Sequence, residues 1–121
     1  MDNVQPARIY GWKPDLPDHR DFKFVPDPVS AQSLPASIDW TAKCPPVYDQ
    51  GQLGSCTGNA IAAAIQFDQL VNHNKYQFEP SRLFIHYGER SLEGTISSDS
   101  GAMIRDGIKV CAATGCCPEV K

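Results

Sequence analysis

The stretch CTGNAIAAAIQFDQLVNHN, residues 56 to 74, decides how this chain folds. Ile61, Ala64, Ile65 and Leu70 recur within one or two positions of helical i, i+3/i+4 spacing, and Ala62 and Ala63 fill the gaps between them. Alanine has the highest helix propensity, and a helix that is apolar nearly all round belongs inside a protein. The spacing therefore predicts a long buried central helix. Ser55 or Thr57 can cap its N-terminus, and His73 and Lys75 suit its C-terminal end.

Working outward, a second helix is predicted from Pro80-Ser81 to about Ser91, with proline in the first turn and Leu83, Phe84 and Tyr87 on its apolar face. A third is predicted from Ser100 to Ala113, with Met103, Ile104, Ile108 and Cys111 inward and Gly115 as its stop. Gly107 inside it costs about 1 kcal/mol of helix propensity. On the N-terminal side, residues 34 to 54 are loop-rich, with Pro45 and Pro46 forcing extension before a turn at Gly51 and Gly54. Half of the ten prolines (Pro6, Pro14, Pro17, Pro26, Pro28) lie in the first 28 residues, which excludes helix there. Residues 1 to 33 are thus predicted to be an extended arm, with Ile9, Tyr10, Trp12, Phe22, Phe24 and Val25 as apolar anchors along a groove.

Composition narrows the function classes. With 121 residues, 41% hydrophobic, the chain is one domain with a modest core. Its net charge of −3 and the absence of a Lys/Arg run argue against nucleic acid as a partner. No apolar stretch approaches the roughly 18 residues of a membrane span, so no membrane partner is expected. Charge and proline stand where a signal peptide would be apolar, so no secretory signal is visible and the compartment stays open. Five cysteines leave at least one unpaired within the chain. Cys44, Cys56, Cys111, Cys116 and Cys117 lack zinc-ligand or Cys-x-x-Cys redox spacing, so no metal and no cofactor are expected.

Chemistry concentrates where the central helix begins. Cys56 follows a Gly-Gln-Leu-Gly-Ser turn and meets the free N–H groups and positive end of the helix, surroundings that suit a nucleophilic sulfur. Six residues upstream, Gln50 offers carboxamide donors on a loop that glycines fold back. Such a donor, with the Cys56 backbone N–H, can hold the oxyanion of an attacked carbonyl. A free cysteine is more often a small buried hydrophobe. The combination of Gln50, Gly51, Gly54, Ser55 and Cys56 at this spacing is what points to acyl transfer.

Here the sequence resembles the papain-like cysteine peptidases. LPASIDW at residues 34 to 40 is similar to the start of their mature enzymes, and PVYDQGQLGSC at 46 to 56 to their nucleophile segment. DSGAM at 99 to 103, read as opening a helix, resembles the glycine-bearing edge of their substrate cleft. The resemblance implies an α+β fold of which this chain supplies only the helical N-terminal domain, residues 34 to 121, with 1 to 33 as a propeptide-like arm. It implies a cysteine-type endopeptidase with Cys56 as nucleophile and Gln50 as oxyanion donor. Gly54, Ser55, Ser100, Gly101 and Met103 would line the substrate site, the Gly101 backbone pairing with a peptide or protein substrate in β-fashion.

Three departures qualify it. The family signature is Cys-Gly-[Ser/Ala]-Cys-[Trp/Tyr], whereas Leu53 stands for its first cysteine and Thr57 for its aromatic. The disulfide made by that first cysteine is therefore absent, and Cys44 paired with Cys116 or Cys117 is the expected substitute. The family's histidine lies roughly 130 residues beyond the nucleophile, and this chain ends before that. Its own histidines do not replace it. His73 lies about 25 Å along the same helix, His86 packs or faces solvent on the second helix, and His19 sits in the arm. The β-rich half carrying the base is expected to be missing, leaving an inactive piece with an exposed apolar face prone to association. Two other readings stand beside this one: a non-catalytic scaffold or binding module on the papain-like framework, and a small thiol-redox protein.

Overall fold

The structure, a computed structural model, describes residues 10 to 28 and 33 to 119. Among the described residues three long helices carry the fold: α1 (Cys56–Val71), α2 (Arg82–Leu92) and α3 (Ile104–Thr114). Two short strands, β1 (Trp12–Lys13) and β2 (Ala102–Met103), pair in parallel with Trp12 opposite Ala102 and Lys13 opposite Met103. A 3₁₀ turn at Thr41–Lys43 precedes α1. The fold is mostly helical, with little strand. None of the helices among the described residues is long and apolar enough to cross a membrane.

The core is small. Ile61 and Ala62 of α1 meet Ile85 of α2, and Tyr48, Ile65, Ile104, Cys111 and Cys116 pack around them. Close helix crossings explain two glycines. A Cβ on Gly58 would come within 2.8 Å of Arg82 O, and one on Gly107 would overlap Glu89 Oε1 and Ile61 Cδ1. The propensity cost of Gly107 is thus what lets α3 approach the other two helices.

The all-round apolar α1 is covered along one stripe, where Thr57, Gly58, Ile61, Ala62 and Gln69 are buried. Ala60 and Ala64 are exposed on its other side. There a groove of about 690 Å³, lined by Ala60, Ala64, Ile65, Ile104 and Ile108, runs between α1 and α3. Ile108, predicted to point inward, is 56% exposed at its edge.

The helix ends show what the local sequence chose. Ser55 precedes α1 without a side-chain cap; instead Asn59 Nδ2 donates to Ser55 O and Oγ at 2.8 and 3.1 Å. His73 closes the far end with φ of 51° rather than extending the helix. Ser81, not Pro80, caps α2, its Oγ accepting from Phe84 N at 3.4 Å. Pro80 is buried in an antiparallel bridge to Pro118. Glu119 then caps α2 from outside, accepting from Arg82 N and Nη2 at 3.0 and 3.1 Å.

The third helix starts at Ile104, not Ser100. Gly101 has φ of 71°, and the next two N–H groups are already taken. Ala102 N donates to Gly11 O at 2.7 Å, and Met103 N to Glu93 Oε1 at 2.8 Å. Residues 102 and 103 are therefore strand. Gly115, with φ of 75°, stops the helix as predicted, its N–H on Cys111 O at 2.9 Å.

The arm is extended over most of its described part, but it turns at residues 18 to 21. Pro28 is helical, against the expectation of no helix in the first 28 residues, because the fixed φ of proline suits a first helical turn. The arm's aromatic anchors do not dock. Phe22 and Phe24 are fully or nearly fully exposed and Tyr10 is 72% exposed; Ile9 lies outside the described residues. Backbone pairing and charge hold the arm instead. Lys13 Nζ reaches Glu93 at 3.2 Å, Asp15 accepts from Arg105 N at 2.9 Å, and Asp21 takes Arg105 bidentately at 2.8 and 2.7 Å. All five cysteines are free thiols. Cys44 is exposed, its Sγ on Trp40 O at 3.4 Å, so the staple expected from Cys44 to Cys116 or Cys117 does not form.

Candidate functional site

The site is built from one turn and one edge. On the turn, Gln50 Nε2 donates to Leu53 O at 2.9 Å, and Ser55 N donates to the same oxygen at 2.8 Å. Asp49 Oδ1 accepts from Gly51 N at 3.0 Å, and Gly51, at φ of 62°, makes the reversal. These bonds fold the Gln50 side chain back onto the residues immediately before α1. Gly54 and Ser55 are buried, and Cys56 is half-buried as the first residue of α1, where its N–H is one of the helix's free donors. A carboxamide has two N–H donors, so the bond to Leu53 O leaves Gln50 one to offer.

The edge is the strip Asp99 to Met103. Both Asp99 oxygens face Gly54 N, at 3.2 and 2.9 Å, which joins the edge to the turn two residues before Cys56. Gly101 is buried. Ser100 is exposed and its Oγ accepts from Lys13 Nζ at 3.3 Å, and Met103 is half-buried in β2. Gly11 of the arm fills the space between the two parts. A Cβ on Gly11 would overlap Gly54 O and lie 2.9 Å from Gly101 Cα, and a Cβ on Gly101 would overlap Gly11 O. Glycine at both positions permits this approach.

Beneath the turn sits a buried polar cluster that sequence reading missed. Glu89 of α2 is fully buried. Its Oε2 accepts from Thr57 Oγ1 at 2.7 Å and faces His86 Nδ1 at 3.3 Å, while Oε1 has no partner. Thr57, standing where the family has an aromatic, thereby ties the first turn of α1 to α2. The signal was legible in principle: Glu89 follows Ile85 by four residues and so shares its buried face. Arg90, next to it, is also buried and bonds Thr95 through Nε at 2.9 Å and through Nη2 to the Thr95 carbonyl.

None of the three histidines bonds to Cys56 among the described residues. His86 is buried against Glu89, His73 closes the far end of α1, and His19 is exposed in the arm. Nor do the described residues hold a group of three or more Cys, His, Asp or Glu that could bind a metal. On α3, packed against the core, burial and the neighbouring Cys116 push the Cys111 thiol up to about 12, so it is not a ready nucleophile.

No family model matches the chain. Across 135 aligned residues it is 40% identical to an uncharacterized peptidase C1-like protein of Acanthamoeba polyphaga mimivirus, covering 98% of this chain and 43% of the viral protein. It also superposes on Xylellain, a cysteine protease from Xylella fastidiosa, with a TM-score of 0.81 and 51% identity, over 96% of this chain and 44% of that one. The chain therefore spans less than half the length of either relative.

Proposed function

We infer that this chain, which belongs to the papain-like cysteine peptidases and has the mostly helical fold of their N-terminal half, carries the nucleophile of a peptidase site at Cys56. The observation that supports the reading best is the convergence of Gln50 and the free N–H groups of α1 on the turn that presents this thiol. In the proposed reaction the Cys56 thiolate attacks a peptide carbonyl, and the oxyanion is held by Gln50 Nε2 and the Cys56 N–H. Collapse expels the amine and leaves a thioester, which water hydrolyses. The substrate is a peptide or protein strand laid along Ser100 to Met103, with Gly101 giving backbone access. The base belongs to the β-rich half that the resemblance implies, since each histidine here is placed elsewhere.

The arm fits a propeptide-like role. Gly11 to Lys13 already occupy the backbone edge that a substrate strand would use, so residues 1 to 33 act as a self-inhibitory segment. The test is labelling with an epoxysuccinyl peptide near pH 7, read by mass spectrometry. Cys56 should be modified ahead of the other four thiols, Gln50→Ala should slow it, and removing residues 1 to 33 should speed it. Modification spread evenly over Cys44, Cys116 and Cys117 would instead favour the scaffold reading, in which the papain-like framework is kept without chemistry.

A further inference from the structure

The expected disulfide is missing, yet the nucleophile turn is not left untied. Leu53 has no sulfur to offer, and Cys44 points away to its own local carbonyl. What binds the turn to the cleft edge is a carboxylate. Asp99 accepts from Gly54 N with both oxygens, across 45 residues of sequence. Behind it stands Arg90, whose Nη1 lies 3.7 Å from Asp99 Oδ1 and whose side chain is only 5% exposed. Arg90 is itself fixed by Thr95, through Nε to the hydroxyl and Nη2 to the carbonyl, while Thr95 N returns a bond to Arg90 O at 2.8 Å. The loop from Thr95 to Asp99 is thus folded around one guanidinium, and its last carboxylate is delivered to Gly54.

We propose that Asp99, backed by Arg90, is a positioning residue that replaces a disulfide: it fixes the nucleophile turn at Gly54 relative to the substrate edge at Gly101. The inference rests on Cys56 being the nucleophile. Its geometry supplies the rest. Gly54 is two residues before Cys56 and Asp99 two before Gly101, so one carboxylate sets the spacing between the attacking sulfur and the strand that would hold the substrate. The donor Gly54 is buried while the Asp99 side chain is 37% exposed, and a hydrogen bond to a charged acceptor is stronger than one between neutral groups. Unlike a disulfide, it is indifferent to reductant. Gly54 suits the contact sterically, since a Cβ there would come 2.8 Å from Asp99 Oδ1.

The test uses the whole chain and two readouts. The first is hydrogen exchange of the amides in residues 53 to 56 and 99 to 103. The second is the rate of Cys56 alkylation by iodoacetamide across pH 6 to 9. Asp99→Ala should speed exchange at Gly54 about tenfold, as the loss of one charge-assisted bond implies. It should also shift the pH profile of Cys56 alkylation, while thermal melting stays within a few degrees. Asp99→Asn, which keeps one acceptor oxygen, should recover most of both, and dithiothreitol should change neither in the unmodified chain. If Asp99→Ala leaves Gly54 exchange and the Cys56 profile unchanged, or if reductant loosens the turn, the staple is overturned. Failure of Cys56 to react selectively in the unmodified chain overturns the functional reading instead, and the exchange result still decides the staple.

Discussion

The arm and the turn from Gln50 to Cys56 touch the same strip of chain, and they are held in opposite ways. The turn is anchored from beneath by the buried cluster of Thr57, Glu89 and His86 and from the side by the partly exposed carboxylate of Asp99 on the buried Gly54 N–H. The arm lies over it on backbone pairing and surface charge, with Phe22, Phe24 and Val25 left in solvent. Buried polar bonds are costly to break because the freed groups find no water, whereas surface ion pairs exchange readily with solvent. One part is therefore held as a frame, and the other lies on it as a loosely held cover.

The largest expected effect strikes the frame. Glu89→Ala strands Thr57 Oγ1 and His86 Nδ1 in the interior and leaves a void, which should cost about 3 kcal/mol of stability. Urea unfolding reads it, and a loss near zero would mean that the cluster does not hold α1 to α2. A cover should behave differently. Gly11→Val drives a side chain into Gly54 O and should detach the arm. The expected outcome is faster proteolysis of residues 10 to 28 and faster Cys56 labelling, with the global midpoint moved by less than about 0.5 kcal/mol. An equal drop in global stability would make the arm part of the frame.

A smaller effect separates the two by pH. Burial alone would raise Glu119, but hydrogen bonds from Ser81 and Arg82, with the nearby Arg82 charge, outweigh it and hold the carboxyl below its usual range. Because its folded pKa is depressed, its contribution is full above the ordinary carboxyl range and is lost as pH falls through the lowered value. The protection factors of the amides of Arg82 and Glu119, that is, exchange corrected for its intrinsic pH dependence, should thus stay high at pH 5 and fall as pH drops through the lowered value. Smallest is Arg105→Ala. It removes the Asp21 pair on a water-exposed face, so it should loosen the arm slightly at low salt and not at all in molar salt, where such pairs are screened. A salt-independent effect would point to packing instead.

Much of the frame was readable from residues in order. The alanine-rich run gave α1, Ser81 gave the start of α2 within two residues, and Gly115 gave the end of α3, because each is a local backbone preference. The turn from Gln50 to Cys56 was equally legible, its glycines and polar side chains bonding within a few residues. The edge was not. Ser100 to Met103 read as a helix start, yet Gly11, some ninety positions earlier, took the N–H of Ala102 and made it strand.

The division follows from distance along the chain. Local chemistry settled which segments are helical, where the thiol sits relative to the helix dipole, and that Gln50 turns back toward it. Three matters needed the folded chain: which side of α1 is covered, that Glu89 and not a water accepts from Thr57, and that Asp99 and not a cysteine ties the turn to the edge. Each is a contact between residues more than twenty positions apart. Loop closure makes such contacts cooperative products of the whole packing, so no short window of sequence carries them.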